Sequence, residues 1–357
     1  MQTTQPKLSE EQIQVLASAL ADPADVVTIG GYAGTGKTTI IRELVKALKK
    51  VAVCAYTGKA ANVLRRKGIS ASTIHKLIYE TLLDEDGKPE KDAFGNPQWV
   101  LKTSLNVDCI IIDEGSMVSE IIYNDLLSFG KKIIMVGDHG QLPPVGDDFD
   151  LMQDPMYRLE TIHRNAGEIA RFAHWLREGK DAVDFECKDQ SVIVGEFDPL
   201  ISDNEGKVVP LVDQLICGFN KTRHGYNAYF RKELGFSGQP KEGERIMVLS
   251  NNTEYNVFNG MQGVVESVKK NKIVFKDQVD IVRTIPVSFH NHEKNPTQYR
   301  VTWGYAYAAT CHKMQGDECD SVGVIEEQFE KYWEPARWNY TAASRARTQI
   351  YWDPSNA

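Results

Sequence analysis

The chain is short of the features that mark secreted, metal-stapled and membrane-bound proteins. Six cysteines, at positions 54, 109, 187, 217, 311 and 319 of 357 residues, show no C-x-x-C spacing and no Cys/His cluster. That pattern signals neither a zinc site nor a disulfide framework and makes a reduced, cytoplasmic setting the expectation. No apolar run approaches the roughly 18 residues a membrane helix needs, and the opening MQTTQPKLSEEQ lacks the basic-then-apolar profile of a secretory signal. No membrane partner is therefore expected. Low-complexity tracts and internal repeats are absent too. Positive charge is in deficit: 41 Lys+Arg against 49 Asp+Glu leave a net charge of -8. The surface as a whole should repel nucleic acid, so any such partner must be met by a local patch.

What is present is the length for two domains and a rhythm of buried strands and amphipathic helices. Leu8–Leu20 carries a helical stripe (Ile13, Leu16, Ala17, Leu20), with Ser9 as N-cap and Gln12 three residues on. Val26–Ile29 reads as a strand, Gly31–Thr39 as a glycine-rich loop and Ile40–Lys49 as a helix, the opening of a parallel α/β sheet. Val51–Ala55, Cys109–Ile112 and Lys132–Val136 continue it, and Gln214–Phe219, Ser321–Ile325 and Gln349–Trp352 are strand candidates for a second parallel sheet. Two stretches break the rhythm. Tyr79–Leu105, rich in turn residues and charge, reads as a small insertion with a hairpin. Met261–Arg300, with short alternating runs, reads as a small β-barrel inserted in the second half.

Three segments carry phosphate chemistry. Gly31-Tyr-Ala-Gly34-Thr35-Gly36-Lys37-Thr38 fits G-x-x-x-x-G-K-[ST] between a strand and a helix, where backbone N–H groups and the helix N-terminus hold phosphates. Lys37 would reach the β and γ phosphates, Thr38 would hold Mg²⁺, and Thr39 follows in the same turn. Asp113 and Glu114 end a buried strand, the place where open α/β sheets bind ligands; Asp113 is assigned to Mg²⁺ and Glu114 to the attacking water. The plainer alternative for that pair is a helix N-cap. After the next strand, the amide of Gln141 is placed to touch both the γ-phosphate and the water; its plainer alternative is an exposed side chain in a proline-terminated loop.

The basic residues concentrate. Arg42–Lys76 holds nine lysines and arginines against Glu43 alone. Within it, Thr57 and Lys59, then Thr73 and His75, follow strand ends and supply donors suited to a nucleic-acid backbone, against the alternative of a solvated helix face.

In order, GYAGTGKTT, AYTGKAANVL, STIHKL, IIDEGSMV, VGDHGQLPPV, LETIHRN, ATCHKMQGDECDSV and YTAASRART resemble the motif series of superfamily 1 helicases of the 5′-to-3′ branch, the RecD-like and phage Dda-like enzymes. The matches run from Gln12 to Arg347. The resemblance implies two RecA-like parallel-sheet domains of the P-loop NTPase class. Residues 1–155 would form the first, with its insertion at about 79–105, and 156–357 the second, with an SH3-like β-barrel at about 261–300. It implies that Gln12 reads adenine, that Arg164 contacts the γ-phosphate and that Arg345 is the arginine finger. Gln315 and Gly316, on the nucleotide side, with His312 and Lys313, on the DNA side, would couple nucleotide state to grip. Thr57, Lys59, Thr73 and His75 would fall in the first domain's strand-binding motifs, and Phe94 or Trp99 could be a duplex-splitting pin, with hairpin core as the equal alternative. Asp317 stands where relatives usually carry a smaller residue and Ser344 where they usually carry Thr.

The expected activity is ATP- and Mg²⁺-dependent translocation on single-stranded DNA with unwinding at single/double-strand junctions, by a monomer working beside replication or recombination proteins. Two rivals remain: a DNA-dependent ATPase that clamps or strips partners without unwinding, and a small-molecule P-loop kinase. Lys37→Ala is expected to abolish hydrolysis and spare folding.

Overall fold

The computed structural model describes residues 8–83, 90, 98–143, 149–163, 167–250, 252, 255, 257, 259–278, 280–287, 301–327, 331 and 333–355, with Lys59 described by its backbone alone. The chain divides into two units, neither continuous in sequence. One gathers Met1–Glu80, Leu101–Glu178 and Ala336–Thr341; the other gathers Thr81–Val100, Gly179–Pro335 and Ala342–Ala357. Among the described residues, no helix is long and apolar enough to cross a membrane.

A six-stranded, all-parallel sheet organises the first unit, in the order Ser72–Thr73, Val51–Ala55, Cys109–Asp113, Lys132–Gly137, Val26–Gly31, Tyr157–Leu159. Its central strands are apolar throughout because both faces are covered. Ile111 and Ile134 join the core formed with Ile40, Ile41 and Leu44 of the helix Lys37–Ala47. Their neighbours Ile110, Ile112, Ile133 and Met135 pack with Ile74, Ile78, Ile122 and Leu126 on the other face. That alternation is the two-residue period of a strand, and each such side chain contributes about 2 kcal/mol by leaving water. The first helix, Glu10–Ala21, starts at a capping box: Gln12 N–H donates to Ser9 Oγ, and Ser9 N–H donates to Gln12 Oε1.

The second unit holds a five-stranded parallel sheet ordered Ala308–Thr310, Gln214–Cys217, Cys319–Ile325, Ala346–Asp353, Val192–Val194. Beside it lies a five-stranded antiparallel sheet ordered Val282–Pro286, Lys272–Asp277, Gln262–Lys269, Arg245–Val248, Trp303–Tyr305. One core serves both, since Leu215, Phe230 and Ala308 cluster with Ile246, Val265, Phe275 and Trp303.

Two parallel sheets therefore stand where the strand pattern predicts them. The boundaries differ. Tyr157–Leu159 pairs with Val26–Gly31 and the helix Gly167–Arg177 stays with the first unit, so the division falls after Glu178 rather than at 155. A three-residue strand and a single helix carry too little periodicity to declare which sheet they join. The second insertion is wider than 261–300, because Arg245–Val248 and Trp303–Tyr305 complete its sheet. In the first insertion, Tyr79–Thr81 pairs with Trp99–Leu101, while Leu105 belongs to the core of the first unit. Trp99 is 49% exposed, which removes it from any hairpin core; Phe94 lies outside the described residues.

Candidate functional site

The strand Val26–Gly31 delivers the chain into a loop whose shape is fixed from inside. Thr35 donates to the Tyr32 carbonyl through both its N–H (3.3 Å) and its hydroxyl (2.8 Å). Gly34 and Gly36 sit at φ +83° and +88°, where only glycine is at ease, and a Cβ on Gly36 would lie 2.3 Å from Gln12 Nε2. The following helix has no side-chain cap on its first turn, so its N–H groups remain for an anion.

Lys37 bends back over this loop. Its ammonium donates to the carbonyls of Gly31 (2.6 Å) and Tyr32 (3.0 Å) and pairs with Asp138 Oδ2 at 3.2 Å. Asp138 is 1% exposed and accepts three further bonds, from Tyr340 Oη (2.6 Å), Gly140 N–H (3.0 Å) and Gln141 Nε2 (3.2 Å). Burial pushes its carboxyl up, but the Lys37 charge and the Tyr340 and Gly140 bonds outweigh burial and hold it below the ordinary carboxylate value. Stability from Asp138 is present above its unfolded value, near pH 4, and is lost as pH falls through the lower folded value. Melting temperatures taken from pH 7 to pH 3 are expected to fall further for the parent than for Asp138→Asn; parallel curves would show that the buried carboxylate contributes nothing.

Sequence reasoning named Lys37 and Gln141 and missed Asp138 and Tyr340. The available signal was the acid at the end of a buried strand, the same pattern that singled out Asp113. His139, also missed, is 7% exposed, packs with its ring 4.2 Å from that of Tyr32 and, among the described residues, has a partner for neither ring nitrogen; burial lowers its pKa and keeps it neutral.

Asp113 closes its strand in register with Ala55, level with the turn that leads to Thr57. Glu114 follows at φ +56° and ψ +44°, a left-handed conformation that costs a non-glycine residue about 1 kcal/mol or more. It precedes a short 3₁₀ turn, Gly115–Met117, and its side chain makes no capping bond there, which removes the N-cap alternative for Glu114. Thr38 Oγ1 accepts from Lys67 Nζ at 3.3 Å. Gln12 is buried against the loop, its amide donating to the Thr35 carbonyl (3.0 Å) and lying 2.8 Å from His163 Nε2. Arg164 lies outside the described residues.

The proposed strand-binding threonines are both N-caps. Thr57 Oγ1 accepts from Ala60 N–H (3.1 Å) and Thr73 Oγ1 from Lys76 N–H (3.2 Å), on neighbouring strands paired Ala55 to Thr73. Each hydroxyl keeps its own proton for an outside acceptor. His75 packs 5.5 Å from Tyr79 and burial lowers its pKa, so it is a neutral donor at pH 7. The basic count, however, splits. Helix Lys37–Ala47 runs back from this edge, so Lys46, Lys49 and Lys50 stand near the start of Val51–Ala55 at the opposite edge, whereas Lys67 reaches Thr38 Oγ1 beside the phosphate loop. Arg65 donates to the Ala71 carbonyl at 2.7 Å, next to Ser72, which pairs with Cys54 near the loop end of the sheet. Composition counted them together because it ignores chain direction.

In the second unit, Arg345 is 4% exposed and donates to the Asp317 carbonyl (3.2 Å) and Ser344 Oγ (2.7 Å), so the two departures from the usual motif are the residues it touches. Gly316 takes φ +74° between buried Gln315 and Asp317. Burial holds His312 neutral, with its ring 5.9 Å from Trp333, and Lys313 Nζ donates to Asn259 Oδ1 at 2.9 Å.

Two family models match: "AAA domain" over residues 7–196 and "UvrD-like helicase C-terminal domain" over residues 305–351. The chain is similar to the ATP-dependent RecD2 DNA helicase of Deinococcus radiodurans, 27% identical across 96% of this chain and 48% of that protein, so it spans about half the length of that relative. It is also similar to the ATP-dependent DNA helicase Pif1 of Campylobacter jejuni, 24% identical across 86% of this chain and 84% of that one. Among solved structures, Bacteroides Pif1 bound to single-stranded DNA shares the fold at TM-score 0.62 and 19% identity, over 98% of this chain and 92% of that one.

Proposed function

The chain belongs to the AAA-domain family and, within superfamily 1, to the RecD- and Pif1-like helicases, and from that premise we propose that it is an ATP-driven motor that moves 5′ to 3′ along single-stranded DNA and separates duplexes at junctions. The observation that carries this reading is the buried constellation in which Asp138 joins Lys37 of the phosphate loop to Gln141 of the next strand's loop. A phosphate-responsive lysine is thereby wired to the amide that would meet the attacking water.

In the proposed cycle, phosphate oxygens take the place of the Gly31 and Tyr32 carbonyls on Lys37, and the open helix N-terminus receives the β-phosphate. The Thr38 hydroxyl and the Asp113 carboxylate fit Mg²⁺, being hard oxygen donors few enough to leave positions for phosphates and water. When bound, the ion neutralises charge on the β and γ oxygens. Glu114 takes the proton of the attacking water, Gln141 orients that water, and Arg164 and Arg345 stabilise the charge on the transferred group. Gln12, held at the loop by Thr35 and His163, reads the adenine edge. Thr57, Lys59, Thr73 and His75 in the first unit, and His312 and Lys313 in the second, donate to successive DNA phosphates. Trp99, half in water, is the hairpin residue available to stack on a base at the junction.

Steady-state ATP hydrolysis with and without single-stranded DNA, followed by unwinding of duplexes bearing a 5′ or a 3′ tail, tests the reading. Strong stimulation by DNA together with separation of the 5′-tailed duplex is expected. Hydrolysis indifferent to DNA would sink it, and stimulation without strand separation would favour the clamp that remodels protein–DNA complexes.

A further inference from the structure

Tyr340 is a buried residue that the proposed chemistry leaves without a task. It is 1% exposed, and its hydroxyl makes two short bonds with opposite sense: it accepts from the Ala33 N–H at 2.7 Å and donates to Asp138 Oδ2 at 2.6 Å. Ala33 lies in the phosphate loop inside the turn that Thr35 closes on the Tyr32 carbonyl, and Asp138 is the counter-ion of Lys37. The ring is fixed as well, 5.7 Å from Tyr32 in an edge-on arrangement and close enough to Gly140 that a Cβ there would stand 2.9 Å from it. A hydroxyl spends its single proton on one acceptor, so the pair of bonds has one direction only: loop amide to phenol to carboxylate.

The helix that carries Tyr340, Pro335–Ala343, is bound to the first unit at further points. Thr341 Oγ1 accepts from the Leu142 N–H at 2.9 Å, and Arg337 donates to Asp150 Oδ2 at 3.0 Å. Ala336–Thr341 consequently groups with the first unit, whereas the chain from Ala342 onward, including Arg345, groups with the second. The passage from one unit to the other therefore begins directly after Tyr340 and Thr341.

We infer that Tyr340 is a positioning residue: its hydroxyl reads the state of the phosphate loop, through Ala33 and the Lys37–Asp138 pair, and sets the placement of the helix from which the chain continues to Arg345. Phosphates that draw Lys37 away from Asp138 alter the acceptor that Tyr340 serves, and the helix is the element that responds. This inference rests on the ATPase reading of the same site.

The test uses the full chain with Tyr340→Phe, which keeps the ring and removes the hydroxyl, and Thr341→Val, which removes a bond of the same helix without touching the loop. Tyr340→Phe is expected to lower kcat for DNA-stimulated hydrolysis at least ~10-fold with KM for ATP within ~3-fold of the parent, the pattern of a group that acts in the transition state rather than in binding. Thr341→Val is expected to lose less than ~3-fold in kcat. Hydrogen exchange of the peptide covering Ala336–Ala343 gives a readout that needs no variant: ADP is expected to change its protection in the parent protein. Unchanged protection on ADP binding, an unchanged kcat in Tyr340→Phe, or equal kcat losses in the two variants would each overturn the inference. A parent that hydrolyses no ATP would instead remove the functional reading beneath it.

Discussion

Lys37→Ala is expected to lose ATP hydrolysis by a factor of about 10³ and, contrary to what the sequence suggests, to melt roughly 5 °C below the parent. The first effect is the ordinary consequence of deleting a cation that meets transferring phosphates. The second follows from Asp138, which is 1% exposed and would keep its bonds to Tyr340, Gly140 and Gln141 while losing its ion pair with Lys37. Breaking a buried pair from one side strands the remaining charge, and the surviving bonds limit that penalty to about 2 kcal/mol. For a unit of this size such a loss lowers the melting temperature by several degrees. Lys37→Arg, which keeps the charge, should be equally inactive and melt near the parent. Removing both partners, as Lys37→Ala with Asp138→Asn, should recover part of the lost stability, because the members of a pair are not additive. Calorimetry on the four proteins checks this. A Lys37→Ala melt that coincides with the parent would mean the pair has no net worth and would restore that variant as a clean blank.

Glu114→Gln is expected to bind ATP with parental affinity and turn it over about 10² to 10³ times more slowly. The amide keeps the shape and the left-handed backbone at φ +56° but cannot accept the proton of water. The left-handed backbone is strained for a non-glycine residue, and such strain clusters at functional sites. Equilibrium binding of ATP and single-turnover hydrolysis separate the two quantities. A raised Kd with turnover preserved would assign Glu114 to positioning the short turn Gly115–Met117 and leave the base unidentified.

The strands and helices were legible because burial on two faces writes itself into the sequence. Ile110, Ile111 and Ile112 are a continuous apolar run for that reason, and Ser9 with Gln12 announces a helix start that the hydrogen bonds reproduce. The phosphate loop was legible because its glycines answer local needs, as at Gly36, where a left-handed φ and the nearby Gln12 amide both forbid a side chain. The partner of Lys37 was not, because Asp138, 101 residues further along the chain, is brought to it by the adjacency of two strands. Tyr340 was hidden by a longer separation, 307 residues from Ala33. The basic run divides for a related reason: the helix Lys37–Ala47 carries Lys46, Lys49 and Lys50 back along the sheet, whereas Arg65 and Lys67 stay near the edge where Thr38 and Thr73 lie.

The interleaving of the two units bears on how the molecule can be taken apart. A gene fragment ending at Glu178 would encode every strand of the first sheet and still lack Ala336–Thr341. The Ala33 and Leu142 amides and Asp138 would then lose the partners that Tyr340 and Thr341 supply. Dissection at a domain boundary, the usual route to a minimal ATPase, would thus yield a half with a hole beside its own phosphate loop. A permuted chain, with the stretch from Ala336 to Thr341 spliced behind the helix Gly167–Arg177, is the form in which that half could stand alone.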